Sequence, residues 1–147
     1  MSLDFKKNAV KRNEFVRLVA EELEVSLDKA GRIIRALIHA LRSRLSYKES
    51  FQLLAQLPVW LTAVYVAGWR FDKNVNRISH VNDFLDEVTQ EDGGLAAYDF
   101  GKNSKAGVAV ASVFKALKYF VSEGEMNDII NVMPTELKQF IKESIAV

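Results

Sequence analysis

A chain of 147 residues, 49% apolar and 27% charged, is long enough to bury a core of its own. Lys+Arg 20 against Asp+Glu 19 leaves a net charge of +1, so nothing in the balance calls for nucleic acid or an anionic membrane. The absence of cysteine excludes disulfides, thiolate catalysis and cysteine-based zinc sites, and fits a reducing, cytoplasmic setting.

At the start of the chain, Asp4, Lys6 and Lys7 interrupt Leu3–Val10, so no secretory signal is read there. Phe15, Leu18, Val19 and Leu23 recur at helical spacing and predict a first helix from about Lys11 to Glu24. Ser26 caps a second helix, whose apolar stripe runs through Ala30, Ile33, Ile34, Leu37, Ile38, Leu41 and Leu45. Ser46 and Glu49 form a capping box for a third helix, with Phe51, Leu54 and Ala55 on its buried side. Pro58 ends that helix and opens a fourth as a first-turn residue. Gly68 supplies a left-handed end to the fourth helix, over which Trp69 folds as an apolar clasp.

Much of this order then recurs. Ser122 and Glu125 restate the capping box, and Pro134 followed by Leu137 restates Pro58 followed by Leu61, at one offset (122 − 46 = 134 − 58 = 76). Val81, Phe84, Leu85 and Val88 predict the fifth helix, and Val110, Val113, Phe114, Leu117 and Val121 the sixth. Leu137, Phe140 and Ile141 lie on the eighth. Phe84 stands only 69 residues beyond Phe15 (84 − 15 = 69), which places an insertion, Gly93-Gly94 through Ser104 with Tyr98 and Phe100, between the fifth and sixth helices. Strand-type alternation is absent. The expectation is an all-α single domain, 1–147, of about eight helices. It is read as two tandem four-helix repeats sharing one core, about 11–69 and 80–146.

From Ser50 to Trp69 there is no charged residue, which is long enough to span a bilayer. The corresponding stretch of the second repeat carries Asp128, Glu136, Lys138 and Lys142. A buried helical hairpin is therefore expected, and no membrane span.

Divergence between the repeats points to surfaces with a purpose beyond packing. In the fourth helix Val59, Trp60, Ala63, Val66 and Ala67 are apolar where the eighth has Thr135, Glu136, Gln139, Lys142 and Glu143. In the second helix Arg32, Arg35, His39 and Arg42 line the back of the apolar stripe, where the sixth has Val108, Ala111, Lys115 and Lys118. The fourth and sixth helices are accordingly expected inside, joining the repeats. A non-enzymatic interaction or ligand-binding module is expected, with its surface at Trp60, Ala63, Tyr65, Ala67 and Trp69 and a homodimer through the fourth helix as the alternative use of that face.

Candidate chemistry is sparse. The Arg32-Arg35-His39-Arg42 stripe is a candidate anion or nucleic-acid site, set against a solvated helix back, which is the commoner outcome. His39 has no second histidine within helical reach, and His80 falls in a linker, so no metal site is read. Gly101-Lys102-Asn103-Ser104 resembles a phosphate-cradling loop, yet Ala96 stands where the first glycine belongs and no strand precedes it. Asp83, Asp86, Glu87, Glu91 and Asp92 lack the spacing of a calcium loop and read as a solvated helix face. No catalytic triad, carboxylate pair or nucleotide fingerprint can be assembled, so no catalytic residue and no cofactor is expected. An enzyme of unrecognised type would need a polar pocket between the repeats.

His39-Ala40-Leu41-Arg42-Ser43-Arg44-Leu45, Ala55-Gln56-Leu57-Pro58 and Tyr65-Val66-Ala67-Gly68-Trp69 together resemble the bacterial domain of unknown function 2267 family. The likeness continues through Phe84-Leu85-Asp86-Glu87-Val88, Ser122, Glu125, Pro134 and Leu137 and covers nearly the whole chain. It implies an all-helical, duplicated, cytoplasmic bacterial protein and supplies no activity. The chain departs from the family at Val132-Met133-Pro134, where Gln-Leu-Pro is usual. It also departs in Val59-Trp60-Leu61-Thr62, where the family often has an arginine before the glycine.

Overall fold

The computed structural model describes residues 5–70, 81–91 and 106–146. These form eight helices and no strand: α1 Phe5–Leu23, α2 Leu27–Arg44, α3 Tyr47–Leu54, α4 Val59–Val66, α5 Val81–Glu91, α6 Ala106–Leu117, α7 Glu123–Val132 and α8 Thr135–Ile145. The fold is all-α. His80, Asp92, Ala96 and the segment from Gly93 to Ser104, with its Tyr98, Phe100 and Gly101-Lys102-Asn103-Ser104 loop, lie outside the described residues.

Local signals set most boundaries. Ser26 Oγ accepts the Lys29 amide at 3.2 Å and starts α2. At α3 the Ser46 hydroxyl accepts the Glu49 amide at 3.2 Å, and Glu49 accepts the Ser46 amide at 2.9 Å. At α7, Ser122 and Glu125 repeat both bonds at 3.1 and 2.9 Å. Each box satisfies two amides that the first helical turn leaves open. Pro58 and Pro134 have nearly the same backbone, φ −57 and ψ 147 against φ −56 and ψ 149. Both stand one residue before their helices, not in the first turn, and both carbonyls accept helix amides. Gly68 adopts φ 67, the left-handed geometry expected at the end of α4, and the Trp69 amide turns back to the Val66 carbonyl at 3.1 Å.

Helix α1 begins six residues earlier than its apolar spacing indicates. Residues 6–14 contain no buried side chain, so that stretch carries no stripe from which to read it. At its other end Glu24 takes φ 55. The Val25 amide reaches the Ala20 carbonyl at 3.0 Å and the Glu24 amide the Glu21 carbonyl at 3.3 Å, the two bonds of a Schellman ending built without glycine. Helix α6 stops at Leu117, so Val121 lies beyond it in the turn before α7.

Buried apolar residues from all eight helices form one cluster. Helix α2 occupies its middle, packed against α1, α4, α5 and α6. Both flanks of its apolar stripe are covered as well, so Ala36, His39, Ala40 and Arg44 are buried along with it. The expectation that α4 and α6 join the molecule from inside is met only in part. Helix α6 packs on α1 and α2 as well as on α5 and α8, but its Val108 is 62% exposed. Helix α4 packs on α1 and α2, and the broadest joint between the early and late helices is α2 against α5. The charge-free run from Ser50 to Trp69 folds as α3 and α4 with a turn between them. No helix among the described residues is long and apolar enough to cross a membrane.

Candidate functional site

The basic stripe on α2 is built into the protein at two of its four positions. His39 is buried, and its Nε2–H donates to the Val64 carbonyl at 2.8 Å. Arg42 Nη1 donates to the Tyr65 carbonyl at 2.8 Å and the Ala67 carbonyl at 2.7 Å. A helix end leaves its last carbonyls without intrahelical donors, and cationic groups are favoured there. His39 and Arg42 therefore close the C-terminus of α4 and do not face an anion site. Arg35 is exposed and Arg32 half-buried, so the four residues do not form one open cationic surface. Burial pushes the His39 pKa below its ordinary 6.5; the Val64 bond opposes this shift, and the charges on Arg42 and Arg35 add to it.

Two of the five expected interaction residues belong to the core. Trp60 packs against Phe15 of α1 and against Phe120, with centroid separations of 5.0 and 5.6 Å, and those two rings meet each other edge-on at 5.6 Å. Tyr65 is fully buried, and its hydroxyl shares a 2.6 Å hydrogen bond with Ser50 Oγ. Desolvation pushes that phenol up to about 12, against a smaller opposing effect of the Ser50 bond. The polarity contrast between Trp60 and Glu136 arises because rings from α1 and from the turn after α6 cover the indole. Ala63 and Ala67 are exposed, and Trp69 is half-buried.

The exposed apolar surface lies beside those residues. On α4, Val59, Ala63 and Val66 recur at helical spacing as one outward stripe, which the exposed Ala67 just past the helix end extends. On α3, Phe51 is 59% exposed and Tyr47 is also exposed; Trp69 contacts both rings at 6.1 and 6.0 Å. Phe51, expected on the buried side of α3, faces water instead, and Leu53 and Ser50 hold the buried side. At all six exposed positions the residue 76 further on is also exposed and is polar: Glu123, Asn127, Thr135, Gln139, Lys142 and Glu143.

An ionic tie with no signature in the sequence joins α2 to α5. Arg44 is 2% exposed and pairs with the Glu87 carboxylate, which also accepts the Ser43 hydroxyl. Arg44 further donates to the Asp83 carbonyl at 3.3 Å and lies 6.0 Å from the Phe84 ring. Glu87, read as part of a solvated acidic face, is the anchor of a buried pair.

A family profile described as an uncharacterized conserved protein (DUF2267) matches residues 12–140. The chain belongs to the DUF2267 family. Comparison with curated proteins gives no match. The matched span takes in the α2–α4 clamp, the Arg44–Glu87 pair and both capping boxes, and the DUF2267 description carries no activity with it.

Proposed function

We propose that this DUF2267 protein is a non-catalytic interaction module whose working surface is the outer side of the α3–α4 hairpin, and that the hairpin is covered by a second copy of the chain. Carrying this reading is the six-position contrast: Tyr47, Phe51, Val59, Ala63, Val66 and Ala67 are exposed and apolar where equally exposed residues 76 positions later are polar. Exposed apolar area of this kind costs solubility unless something covers it. Self-association suits the patch because Ser50–Trp69 has no charge to set against its own image across a two-fold axis, and Ala63 and Ala67 let a partner helix approach closely. Against a catalytic role, His39, Arg42, Arg44–Glu87 and Ser50–Tyr65 spend their polar atoms on backbone carbonyls or on one another.

The reading includes a duplicated unit, about 11–69 and 80–146, within one 1–147 domain in a bacterial cytoplasm. Matching capping boxes, matching proline backbones and the lack of cysteine support it. Anion binding by the Arg32-Arg35-His39-Arg42 stripe is the weaker reading, since two of those groups cap α4.

Sedimentation over a range of protein concentrations tests the proposal. A dimer is expected for the natural chain, and a monomer with unchanged circular dichroism for Phe51→Asn with Val66→Lys, which imports the residues found at 127 and 142. A natural chain that stays monomeric at every concentration overturns self-association through this face.

A further inference from the structure

Among the described residues, the helix contacts recur when each helix is replaced by the one four places later. Helix α2 packs on α5, and α6 packs on α1. Helices α1 and α5 each pack on the helix that follows; α1–α4 has its match in α5–α8, and α2–α4 in α6–α8. Two contacts are their own match, α2 with α6 and α3 with α7. The exception is α7, which packs on α8 more closely than α3 does on α4.

The match extends to which side of each hairpin faces inward. Ser50, Leu53, Leu57, Leu61 and Tyr65 are buried, and so is the residue 76 positions after each of them. Equal inner sides leave equal outer sides. On α3–α4 the outer side presents Phe51 and Val66, and on α7–α8 it presents Asn127 and Lys142. Gln139 Nε2 also donates to the Glu143 carboxylate there at 3.0 Å, so part of that polar side is paired within itself.

We propose that the chain is built as two like units about a two-fold axis, and that the outer side of α7–α8 is a second self-docking surface which its polar residues keep closed. It rests on the α3–α4 surface as the place of self-association and adds what limits that association. The reciprocal contacts, α2 on α5 and α1 on α6, are those of two like units facing each other, with α2–α6 and α3–α7 meeting at the axis. The axis gives every chain two equivalent sides. Were both apolar, each could take up another copy, and a two-chain assembly would still offer a free side at either end. With Glu123, Lys142 and Glu143 on the second side, docking there would strip water from charges that keep it in the free chain. Polar outer units end repeat arrays in the same way. The assembly therefore stops at two chains, with a polar unit at each end.

Sedimentation of four chains over a range of concentrations is the test. The natural chain should be a dimer, and Phe51→Asn with Val66→Lys a monomer. Asn127→Phe with Lys142→Val gives the second side the residues found at 51 and 66, and should form species larger than a dimer that grow with concentration. The chain carrying all four substitutions exchanges the two sides and should return to a dimer. All four positions are exposed, so circular dichroism should be unchanged throughout. A natural dimer whose Asn127→Phe, Lys142→Val variant also stays a dimer overturns this inference and leaves the α3–α4 surface standing. A four-substitution chain that is monomeric, or larger than a dimer, overturns it too, because the two sides would then not be equivalent. A monomeric natural chain overturns both.

Discussion

Arg42 and Lys118 stand 76 residues apart and close the ends of two different helices in the same way. Arg42 donates to the Tyr65 and Ala67 carbonyls at the C-terminal end of α4, and Lys118 Nζ donates to the Ile145 carbonyl at the end of α8 at 3.1 Å. The guanidinium reaches two carbonyls because its donors are fixed in a planar fork, while the ammonium is a single point. Arg42→Met is expected to cost about 2 kcal/mol, two charge-assisted bonds less the packing its stem retains. Lys118→Met, at an exposed site, should cost under about 0.5 kcal/mol. Chemical denaturation of both variants checks the ratio, and equal losses would sever Arg42 from α4.

The buried pair Ser50–Tyr65 has an apolar equivalent at the same offset, Met126 and Ile141, both also buried. Two solutions thus exist for one packing problem, and only the polar one depends on both members. Tyr65→Phe leaves the Ser50 hydroxyl buried and unmatched and should destabilise the protein by about 1–2 kcal/mol. Adding Ser50→Ala removes the stranded group, so the double variant should recover part of that loss. A double-mutant cycle measured by urea unfolding gives the answer; strictly additive losses would mean that the 2.6 Å bond contributes nothing.

Arg44 and Glu87 join α2 to α5 where water is nearly excluded. Removing one charge leaves the other buried, so Glu87→Gln is expected to cost about 3–5 kcal/mol. Arg44→Met with Glu87→Leu removes both charges and should be much closer to the natural stability, because desolvation of the pair offsets most of its attraction. Thermal melts of the single and double variants decide between a tie needed for stability and one replaceable by packing.

How much of this was legible beforehand follows from how far each signal reaches along the chain. Ser26, the Ser46–Glu49 and Ser122–Glu125 boxes and Gly68 act within four residues, and the structure places each where its local chemistry requires. Arg42, Arg44 and Glu87 act across helices more than twenty residues apart, and their letters alone match a solvated helix back. Polarity contrasts misled at Trp60, which two distant rings cover, and at Val108, which is apolar yet lies in water. Exposed Phe51 and buried Ser50 are neighbours in sequence, and only the position of Tyr65 shows which of them faces inward. Glu24 gave no sign of its left-handed backbone, since glycine is the usual mark of that ending.

His39 sets a pH dependence whose sign follows from its surroundings. Its pKa in the folded protein is depressed, first by burial and further by Arg42 and Arg35, while the Val64 bond and the Glu91 charge work the other way. An unfolded chain restores the ordinary value of about 6.5, so below that pH the unfolded state binds a proton that the folded state resists. Stability is therefore full above about pH 7 and falls as the pH drops through 6.5 toward the depressed folded value. His39→Gln keeps a side-chain amide that can donate to the Val64 carbonyl but cannot titrate. Between pH 7.5 and 5 the natural chain should lose more in melting temperature than the His39→Gln variant, with the gap opening near 6.5. Parallel melting curves across that range would show that protonation of His39 does not differ between the folded and unfolded states.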